Sequence, residues 1–401
     1  MQVKTSIIQS IYHTNSQSEL RLDPGRVYSG NLRLVNLGCV TNSATKKMYN
    51  LTSGVYSLIR NIYLYDGNTL LDQITDAHHL FGFRNLQKGN AYNFNINQQL
   101  SGTTNTYQIQ KDLQDANIRN KSIEMINVDP DCFATNDAET TFKGWLNLQT
   151  HFPFLANMVY NLQGQNMQFV DTNVFKNFRI VIEWRSTAEI VSCFQGTSTG
   201  VTATILSPLL VCDEFIGLKL PQQLNFMYDS YEVDKVLCNT QTKARVNGFN
   251  GKFVKKLLLM NINPAELTDS DANNINPVKA DYSETFNDEV IQLLVNGKTL
   301  FDYNGINTSA RKLSMLTDSW GELCLPPGSY DFEIDVGDDG TILISGVQGQ
   351  LSYGGCLVDQ RVSELAVEYS KPLDFNFLLY FWGEVVKQIQ INNGQYNVSY
   401  A

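Results

Sequence analysis

The sequence predicts an all-β protein made of two tandem β-barrels. Three observations carry this prediction: the length of the chain, a two-residue period in its hydrophobic runs, and a hairpin pattern that occurs twice. The 401 residues are too many for one ordinary domain and suit two domains of about 200 residues each. Hydrophobic residues make up 43% of the chain, so each half can bury a core of its own.

The two-residue period identifies the strands. Apolar and polar residues alternate where a strand has one face on a core and the other on solvent or a neighbour. Asp-Gly and Asn-Gly pairs between such runs are strong signals for hairpin turns. The alternating runs are Asn31–Leu37, Trp145–Gln149, Phe178–Trp184, Tyr330–Val336 and Gln388–Ile391, and the turn pairs are Asp66-Gly67, Asn296-Gly297, Asp339-Gly340 and Asn393-Gly394.

A repeated hairpin pattern divides the chain. Asp/Asn-Gly-x-Thr-Leu-Leu/Phe-Asp occurs within Ile62–Asp72 and again within Leu293–Asp302, with the glycines 230 positions apart (297 minus 67). A duplicated domain would place the same hairpin similarly in each copy; the alternative is that unrelated hairpins simply look alike. We place the boundary between residues 210 and 230, with Leu220–Asn225 as the linker. Residues 1–20 are then an arm, residues 21–220 the first barrel and residues 221–401 the second.

Helices are predicted to be few and short. Short helices between strands fit loops over a β scaffold better than they fit a layered α/β domain. The candidates for helices are Asp76–Leu86, Phe154–Leu162 and Ser309–Asp318, and the candidates for long loops are Lys88–Thr106 and Asn261–Thr285.

The charge of the chain argues against sequence-specific nucleic acid as a partner. The formal net charge is -10, and only 17% of the residues are charged, below the roughly 25% of ordinary globular proteins. Proteins that grip nucleic acid need a basic stripe. A surface of neutral polar residues suits copies that pack together, because repulsion between like charges is low. Residues 1–60 differ, since seven basic residues against two acidic ones give them +5 and leave −15 on the rest.

The cysteines predict a reducing compartment. Their number is odd, they are scattered, and no two form a Cys-x-x-Cys pair, so we expect reduced thiols rather than a disulfide framework. Residues 1–10 lack the apolar core of a signal peptide, and no apolar run approaches the about 20 residues of a membrane span. The cysteines are Cys39, Cys132, Cys193, Cys212, Cys238, Cys324 and Cys356.

No group of residues in the sequence assembles a catalytic site. Gly196–Gly200 matches the Gly-x-Ser-x-Gly nucleophile elbow around Ser198. That elbow needs a helix after the serine and a histidine later in the chain, whereas a strand-like run follows here and all four histidines come earlier. Adjacent acids such as Asp213 and Glu214 are too common to indicate a glycosidase. We therefore expect no enzyme and assign no catalytic residue.

No metal or cofactor site is predicted either. The adjacent His78 and His79 should point to different sides of their element and rarely bind one ion. Asp335–Gly340 resembles the start of a calcium loop, but Gly346 stands where a bidentate glutamate is required. Calcium at a loop or subunit contact stays an alternative. The histidines His13, His78, His79 and His151 are expected to be held at loops or subunit contacts.

Four segments carry a resemblance to a known family. Phe142–Leu155 is a strand that ends at a proline-containing turn, and Phe175–Trp184 is a later strand with a Lys-x-x-Arg-aliphatic pattern. Together they resemble a motif of the double jelly-roll major capsid proteins, the lineage of tectiviruses, adenovirus hexon, polinton-like viruses and virophages. Ser57–Gly67 is similar to the early strand pair of that family's first barrel. Phe381–Tyr396 is similar to the closing strand of the second barrel, although the second half lacks an obvious strand-proline-helix-strand copy.

The resemblance implies two tandem jelly-roll barrels with short helices in the loops between strands. It also implies a structural protein of the virion, assembled inside the host cell, whose pseudo-hexagonal homotrimers tile an icosahedral capsid. The expected partners are copies of the chain itself, neighbouring trimers in the lattice, and minor capsid or penton proteins.

Two other classes of protein explain parts of the sequence. A receptor-binding or carbohydrate-binding β-sandwich accounts for the composition and the aromatic residues, but it gives no reason for a hairpin duplicated in both halves. A jelly-roll enzyme would require a cleft with convergent carboxylates.

The arm at residues 1–20 is predicted to be too polar and irregular for a core strand. Ile7, Ile8, Ile11 and Tyr12 form a small apolar face at helical spacing. In a closed shell the contents are anionic, so basic residues should gather on the inner face. We therefore expect the arm to lie under the barrels, against an internal membrane or neighbouring trimers; the alternative is a solvent-exposed tail.

Overall fold

The chain is described by a computed structural model. It covers residues 2–42, 55–81, 133–135, 140–186, 202–238, 242–262, 291–300, 314–315, 318–321, 334–336, 342–344, 354–369 and 377–401. Within these ranges the chain is almost entirely β-sheet.

The first half contributes two sheets. A nine-stranded sheet runs in the order β10-β11-β4-β14-β5-β9-β8, with β1 added on β14 and β13 on β5, and a five-stranded sheet runs β2-β3-β12-β6-β7. The strands are β1 (Gln2–Gln9), β2 (Tyr12–His13), β3 (Gln17–Arg21), β4 (Val27–Ser29), β5 (Arg33–Thr41), β6 (Ile59–Asp66), β7 (Thr69–Ile74), β8 (Phe133–Thr135), β9 (Thr140–Asn147), β10 (Val159–Leu162), β11 (Gln165–Asp171), β12 (Phe178–Trp184), β13 (Ala203–Ile205) and β14 (Leu209–Ile216).

The second half contributes two larger sheets and one hairpin. One sheet runs β15-β24-β17-β22, with β25 added on β24; another runs β16-β23-β18-β19; β20 and β21 pair with each other. The strands are β15 (Gln223–Cys238), β16 (Lys243–Val246), β17 (Phe253–Ile262), β18 (Ile291–Val295), β19 (Lys298–Thr299), β20 (Ile334–Val336), β21 (Ile342–Ile344), β22 (Gly354–Arg361), β23 (Leu365–Tyr369), β24 (Phe377–Asn392) and β25 (Gln395–Tyr400).

Each half packs the inner faces of its two sheets together. In the first half, Leu34 and Leu210 of the larger sheet meet Leu64 and Ile180 of the smaller one in one apolar cluster. That cluster continues into the second half, where it includes Trp382. The second half also has a core of its own. That core contains Val246, Phe249, Leu257, Leu293, Val367, Phe381 and Val385.

Both copies of the repeated hairpin are present, but their turns differ by one residue. In β6–β7 the last pair is Asp66 with Thr69, so Gly67 and the residue after it form the turn. In β18–β19 the last pair is Val295 with Lys298, so Asn296 and Gly297 form it. The register of the first hairpin shifts between Leu64 and Tyr65, and such a bulge accounts for the difference.

The helices are shorter than the sequence predicts. A 3₁₀ helix spans Val55–Leu58, and two α-helices span Leu148–His151 and Pro153–Asn157. The prediction of one helix over Phe154–Leu162 is wrong beyond Asn157, because Val159–Leu162 pairs with β11 as strand β10. Residues 77–81, 314–315 and 318–320 are helical. The remainders of the other two predicted helices lie outside the described residues, as do the whole predicted loop Lys88–Thr106 and residues 263–285 of the other; Asn261 and Ile262 end strand β17.

Residues 2–21 are strands, so the expected irregular arm with a helical face is wrong. β1 pairs with all eight residues of β14 in antiparallel register, from Gln2 with Ile216 to Gln9 with Leu209. Ile7 and Ile8 therefore point to opposite sides: Ile8 packs against the core, and Ile7 is exposed. β3 is paired with β12, so position 20 lies inside a strand of the first barrel's sheet.

Candidate functional site: the junction between the two barrels

The two barrels meet along a buried junction that contains polar side chains from both halves. From the first half it receives the end of β7 and the helical turn at 77–81. From the second half it receives β15 and β24, which pair with each other over their full 16 residues. Long strands of this kind bring residues distant in sequence to one place, and a residue of β7 contacts one about 160 positions later.

Asp72 is the first-barrel centre of the junction. Its carboxylate Oδ1 accepts hydrogen bonds from Ser230 Oγ at 2.6 Å and from the Gln73 backbone N–H at 2.9 Å. The Ser230 hydroxyl in turn accepts a hydrogen bond from Lys387 Nζ at 3.2 Å. Next to Asp72, the Tyr228 hydroxyl donates to the backbone carbonyl of Leu71. The second barrel is therefore bonded to both the side chain and the backbone of β7.

On the second-barrel side of the junction, Glu232 forms ion pairs with two lysines. It accepts from Lys387 Nζ at 2.9 Å, from Lys252 Nζ at 2.6 Å and from the Tyr400 hydroxyl at 2.8 Å. The Lys387 and Glu232 side chains are both buried. Buried charges of this kind are stable only when they are paired and hydrogen-bonded, and this network meets that condition.

The pKa values of the two carboxylates, Asp72 and Glu232, are shifted in opposite directions. Burial raises the pKa of Asp72 to about 6, although Lys387 and the hydrogen bond from Ser230 act in the other direction. Burial also acts to raise the pKa of Glu232, but Lys387 and the hydrogen bonds from Lys252 and Lys387 outweigh it and hold that pKa below its usual value. Glu232 is thus a firm anion, whereas Asp72 is poised to take up a proton under mildly acidic conditions.

A second set of contacts closes the junction further along β24. Lys235 forms an ion pair with Asp76 and lies over the Tyr380 ring, 4.9 Å from its centroid. The indole Nε1 of Trp382 donates to the carbonyl of Thr75 at 3.4 Å. These contacts join the turn after β7 to two different strands of the second barrel.

Aromatic rings fill the remaining space between the barrels. Phe154, from the short helix that begins at a proline, meets Tyr228 edge-on with centroids 5.6 Å apart. Phe175 lies 4.9 Å from Tyr396 of β25, and the Tyr396 hydroxyl donates to Asp66 Oδ2 at 2.8 Å. The strand-proline-helix segment singled out in the sequence therefore serves as a docking face for the second barrel.

Sequence reasoning did not identify the residues of this network. A signal exists for two of them: Asp72 ends the repeated hairpin pattern directly after two leucines, and Lys387 interrupts the long apolar run of β24. Charged residues inside apolar strands are rarely fully buried unless they are paired, so each implies a partner. The partners Ser230 and Glu232 lie on a strand whose pairing the sequence does not reveal.

The histidines are held inside the fold. The ring centroids of His78 and His79 lie 3.9 Å apart and the ring planes are tilted by 41°, so the expectation that adjacent side chains diverge is wrong. His13 contacts Ser18 Oγ at 2.8 Å and the Ile205 carbonyl at 3.0 Å. His151 is buried with its ring 4.3 Å from that of Phe81.

The other residues weighed as catalytic or metal-binding candidates do not form a common site among the described residues. Glu214 is buried and accepts from Arg26 at 2.7 Å, while Asp213 accepts from Thr5 at 2.7 Å. Ser198 and the glycines around it lie outside the described residues, as do Asp338, Asp339, Gly340 and Gly346; strands β20 and β21 on either side of that turn do pair. In the described part of the chain no three metal-ligating side chains cluster, and no described helix is long and apolar enough to cross a membrane.

The cysteines inside the described ranges are buried and form no disulfide with one another: Cys39, Cys212, Cys238 and Cys356. Burial raises the pKa of Cys39, Cys212 and Cys356 to about 12. A thiol with so high a pKa carries almost no thiolate and is chemically inert.

β1 forms an exposed edge at one side of the nine-stranded sheet. Among the described strands it pairs with β14 alone, so the hydrogen-bonding groups on its other side face outward. Val3 is 52% exposed and Ile7 67% exposed, and Ile11 and Tyr12 continue the apolar surface beyond the strand. Exposed edge strands with apolar side chains are templates for pairing with another chain.

No protein-family model matches the chain, and no curated protein matches it in sequence. Its structure does match solved ones. A chain in the 3.5 Å cryo-EM structure of the Sputnik virophage aligns with a TM-score of 0.61 and 11% identity, over 100% of this chain and 88% of that one. The mavirus major capsid protein aligns with a TM-score of 0.57 and 7% identity, over 99% and 90%.

A third match is PBCV-1 VP54, in a crystal structure fitted into a reconstruction of the virophage Sputnik. It aligns with a TM-score of 0.52 and 11% identity, over 100% of this chain and 97% of that one. At identities this low, the structural alignments establish the fold alone. All three alignments extend over both halves of the chain. The chain therefore has the double jelly-roll fold of viral major capsid proteins.

Proposed function

We propose that this chain is a viral major capsid protein with a structural role in the virion. The observation that carries the proposal is the alignment with the mavirus major capsid protein over 99% of this chain and 90% of that one. Both barrels and the connection between them are matched, rather than one barrel that many unrelated proteins could share. No catalytic or cofactor-dependent activity forms part of the proposal.

The physical role follows from two barrels held side by side. Three copies of a two-barrel chain present six similar walls, so a trimer has a pseudo-hexagonal outline and fits a position with six neighbours. The junction supports this geometry, because Asp72 and Asp76 of the first barrel bond to Ser230 and Lys235 of the second. A rigid pair of barrels defines the angle between the walls that neighbouring copies must contact.

We also propose that the chain divides between the barrels near residue 220. No described strand ladder joins residues before 217 to residues after 222. Side-chain contacts at the junction do cross this point, as between Asp72 and Ser230. The two halves would then be two folding units joined by an interface, with β1 to β3 belonging to the first unit rather than to a separate arm.

The edge of β1 is our candidate for contact between copies. It offers free backbone groups next to Val3 and Ile7, and residues 1–60 carry +5 against −15 on the rest of the chain. Lys4 is the one charged residue of β1, so the edge is mainly apolar, and the contact we propose is pairing of its backbone groups with a strand of a second copy. Contact of the same edge with an internal membrane is the alternative outcome, and minor capsid or penton proteins would bind the assembled lattice.

Sedimentation and electron microscopy of the purified protein test the function. We expect a homotrimer at micromolar concentration with a pseudo-hexagonal outline, or closed shells. Monomers, dimers or elongated fibres would contradict the proposal.

The role of the edge is tested separately with Ile7→Lys and with Gln395→Lys, which adds the same charge at an exposed position of β25. We expect Ile7→Lys to weaken association while both variants keep the melting temperature of the parent. If both variants associate equally well, β1 is not part of the contact between copies. That result would leave the proposed capsid function intact.

A carbohydrate-binding module is the main competing function. The groove lined by Arg245, Asn247, Asn250, Ser363, Glu364 and Leu365 has a volume of about 370 Å³, but it contains no aromatic ring on which a sugar could stack. A glycan array gives the direct comparison, and binding of a defined sugar by monomeric protein would favour the module.

A further inference from the structure

His78 and His79 form a buried ring pair that contacts both barrels. Both side chains belong to the first half, and both are at most 4% exposed. The His79 ring meets two rings of β24 edge-on, with centroids 5.2 Å from Tyr380 and 5.9 Å from Trp382. The histidine pair therefore lies between the first barrel and β24 of the second.

The charges around the pair favour neutral imidazoles. Arg185, just after β12, and Lys235, on β15, both act on His78 as positive charges. The nearby carboxylate is that of Asp76, and Lys235 forms an ion pair with it. His79 itself is the remaining titratable neighbour from the same turn. Among the described residues, a proton added to His78 would therefore meet more positive than negative charge.

The hydrogen bonds of His78 also favour its neutral form. The His78 ring is bonded to the backbone of Ile59, while its Nδ1 is buried without an acceptor. In the neutral ring Nδ1 is an acceptor and can remain unpaired at a modest cost. In imidazolium it becomes an N–H donor, and a buried donor on a charged ring without a partner is strongly unfavourable.

We propose that His78 and His79 form an acid-sensitive latch between the two barrels. When both imidazoles are neutral, the edge contacts of His79 hold Tyr380 and Trp382 against the first barrel. The opened form takes up the proton that the buried pair resists, so mild acid raises the fraction of molecules in which β24 is separated from the turn at 77–81. The proposal concerns the fold of one chain and holds whether or not the chain builds a shell.

The direction of the pH effect follows from burial. Burial, together with Arg185, holds the pKa of His78 well below its usual 6.5. Unfolded, the same imidazole titrates near pH 6.5. Its contribution to stability is therefore complete above that pH and is lost as the pH falls, by up to about tenfold in the folding equilibrium constant per pH unit. Asp72 acts in the opposite direction, so the latch must be measured as a difference between variants.

His78→Gln isolates the effect, since an amide keeps a hydrogen-bonding group but cannot titrate. His13→Gln is the matched control, because His13 lies in the same half of the chain, away from the junction. Urea unfolding of each full-length protein is measured from pH 8 to pH 5. We expect the folding constant of the parent, relative to His78→Gln, to fall about tenfold per pH unit below 6.5, and His13→Gln to follow the parent.

Two measurements on the parent protein keep the proposal testable even where the glutamine variant does not fold. NMR titration should show His78 neutral at pH 5.5, and hydrogen exchange, corrected for its intrinsic pH dependence, should speed up in Phe377–Asn392 between pH 7 and pH 5.5. An ordinary pKa near 6.5 for His78, or unchanged protection of that segment, would overturn the latch. So would a His78→Gln variant with the same pH dependence as the parent.

Discussion

Replacing the buried carboxylate of Asp72 by an amide should stabilise the protein at neutral pH. Asp72 is fully buried; its Oδ1 accepts from Ser230, which also accepts from Lys387, and its Oδ2 accepts from the Phe154 N–H at 3.4 Å. Asp72→Asn keeps an oxygen that can accept from Ser230 and from the Gln73 N–H. It removes the buried negative charge, and with it the desolvation that raises the pKa of this group.

The magnitude follows from the two pKa values of Asp72. Burial moves the pKa from 3.8 to about 6, and each pH unit is worth about 1.4 kcal/mol. Ionised Asp72 thus costs about 3 kcal/mol at pH 7.5 relative to a neutral group in the same place. Because the folded-state pKa is raised, protonation favours the folded state. That contribution is complete below pH 3.8 and is lost as the pH rises through about 6.

Urea unfolding between pH 4 and pH 8 measures the size and the sign of the stability difference between Asp72→Asn and the parent. We expect Asp72→Asn to be about 1–3 kcal/mol more stable than the parent at pH 7.5, with the difference shrinking toward pH 4. Asp23→Asn, an exposed aspartate of the same half, should leave the pH profile unchanged. A destabilised Asp72→Asn at pH 7.5, with the profile of the parent, would mean that the ionic bonds of Asp72 outweigh its desolvation.

Three further changes test other parts of the structure. Lys387→Met removes one cation from Glu232 and should destabilise the protein by about 3–5 kcal/mol in urea unfolding; a neutral result would show the network to be dispensable. Gly383→Ala places a methyl group against the Phe249 ring and should lower stability by about 1–3 kcal/mol, whereas an unchanged melting temperature would mean that the ring moves aside freely. Thiol titration after denaturation should recover seven thiols, and fewer would reveal disulfides.

The strands were predictable where one face is buried and the other is not. In β12 the alternating apolar residues Phe178, Ile180, Ile182 and Trp184 are all buried, as the sequence pattern predicts. The Asn393-Gly394 turn also forms as predicted, with both residues at positive φ. These features are local, so a short stretch of sequence contains all the information that determines them.

The junction could not be predicted for the converse reason. β15 buries Ser230 and Glu232 as well as Tyr228, so its burial does not follow hydrophobicity, and its partners lie far away in the sequence. The error at residues 1–20 has a related cause. Ile7, Ile8, Ile11 and Tyr12 fit a helical stripe by spacing alone, and only pairing with β14, about 200 residues later, selects a strand.

The pairing of β15 with β24 gives the molecule a mechanical axis. Sixteen residues on each strand extend over about 50 Å at roughly 3.3 Å per residue. Force applied parallel to the two strands loads all of their hydrogen bonds in shear at the same time. Force applied perpendicular to the strands would break the hydrogen bonds one after another. Tyr228 and Trp382 attach the ribbon to the first barrel near opposite ends of the junction. Tension applied to one barrel would therefore pass to the other through the stiffest direction of the β-sheet.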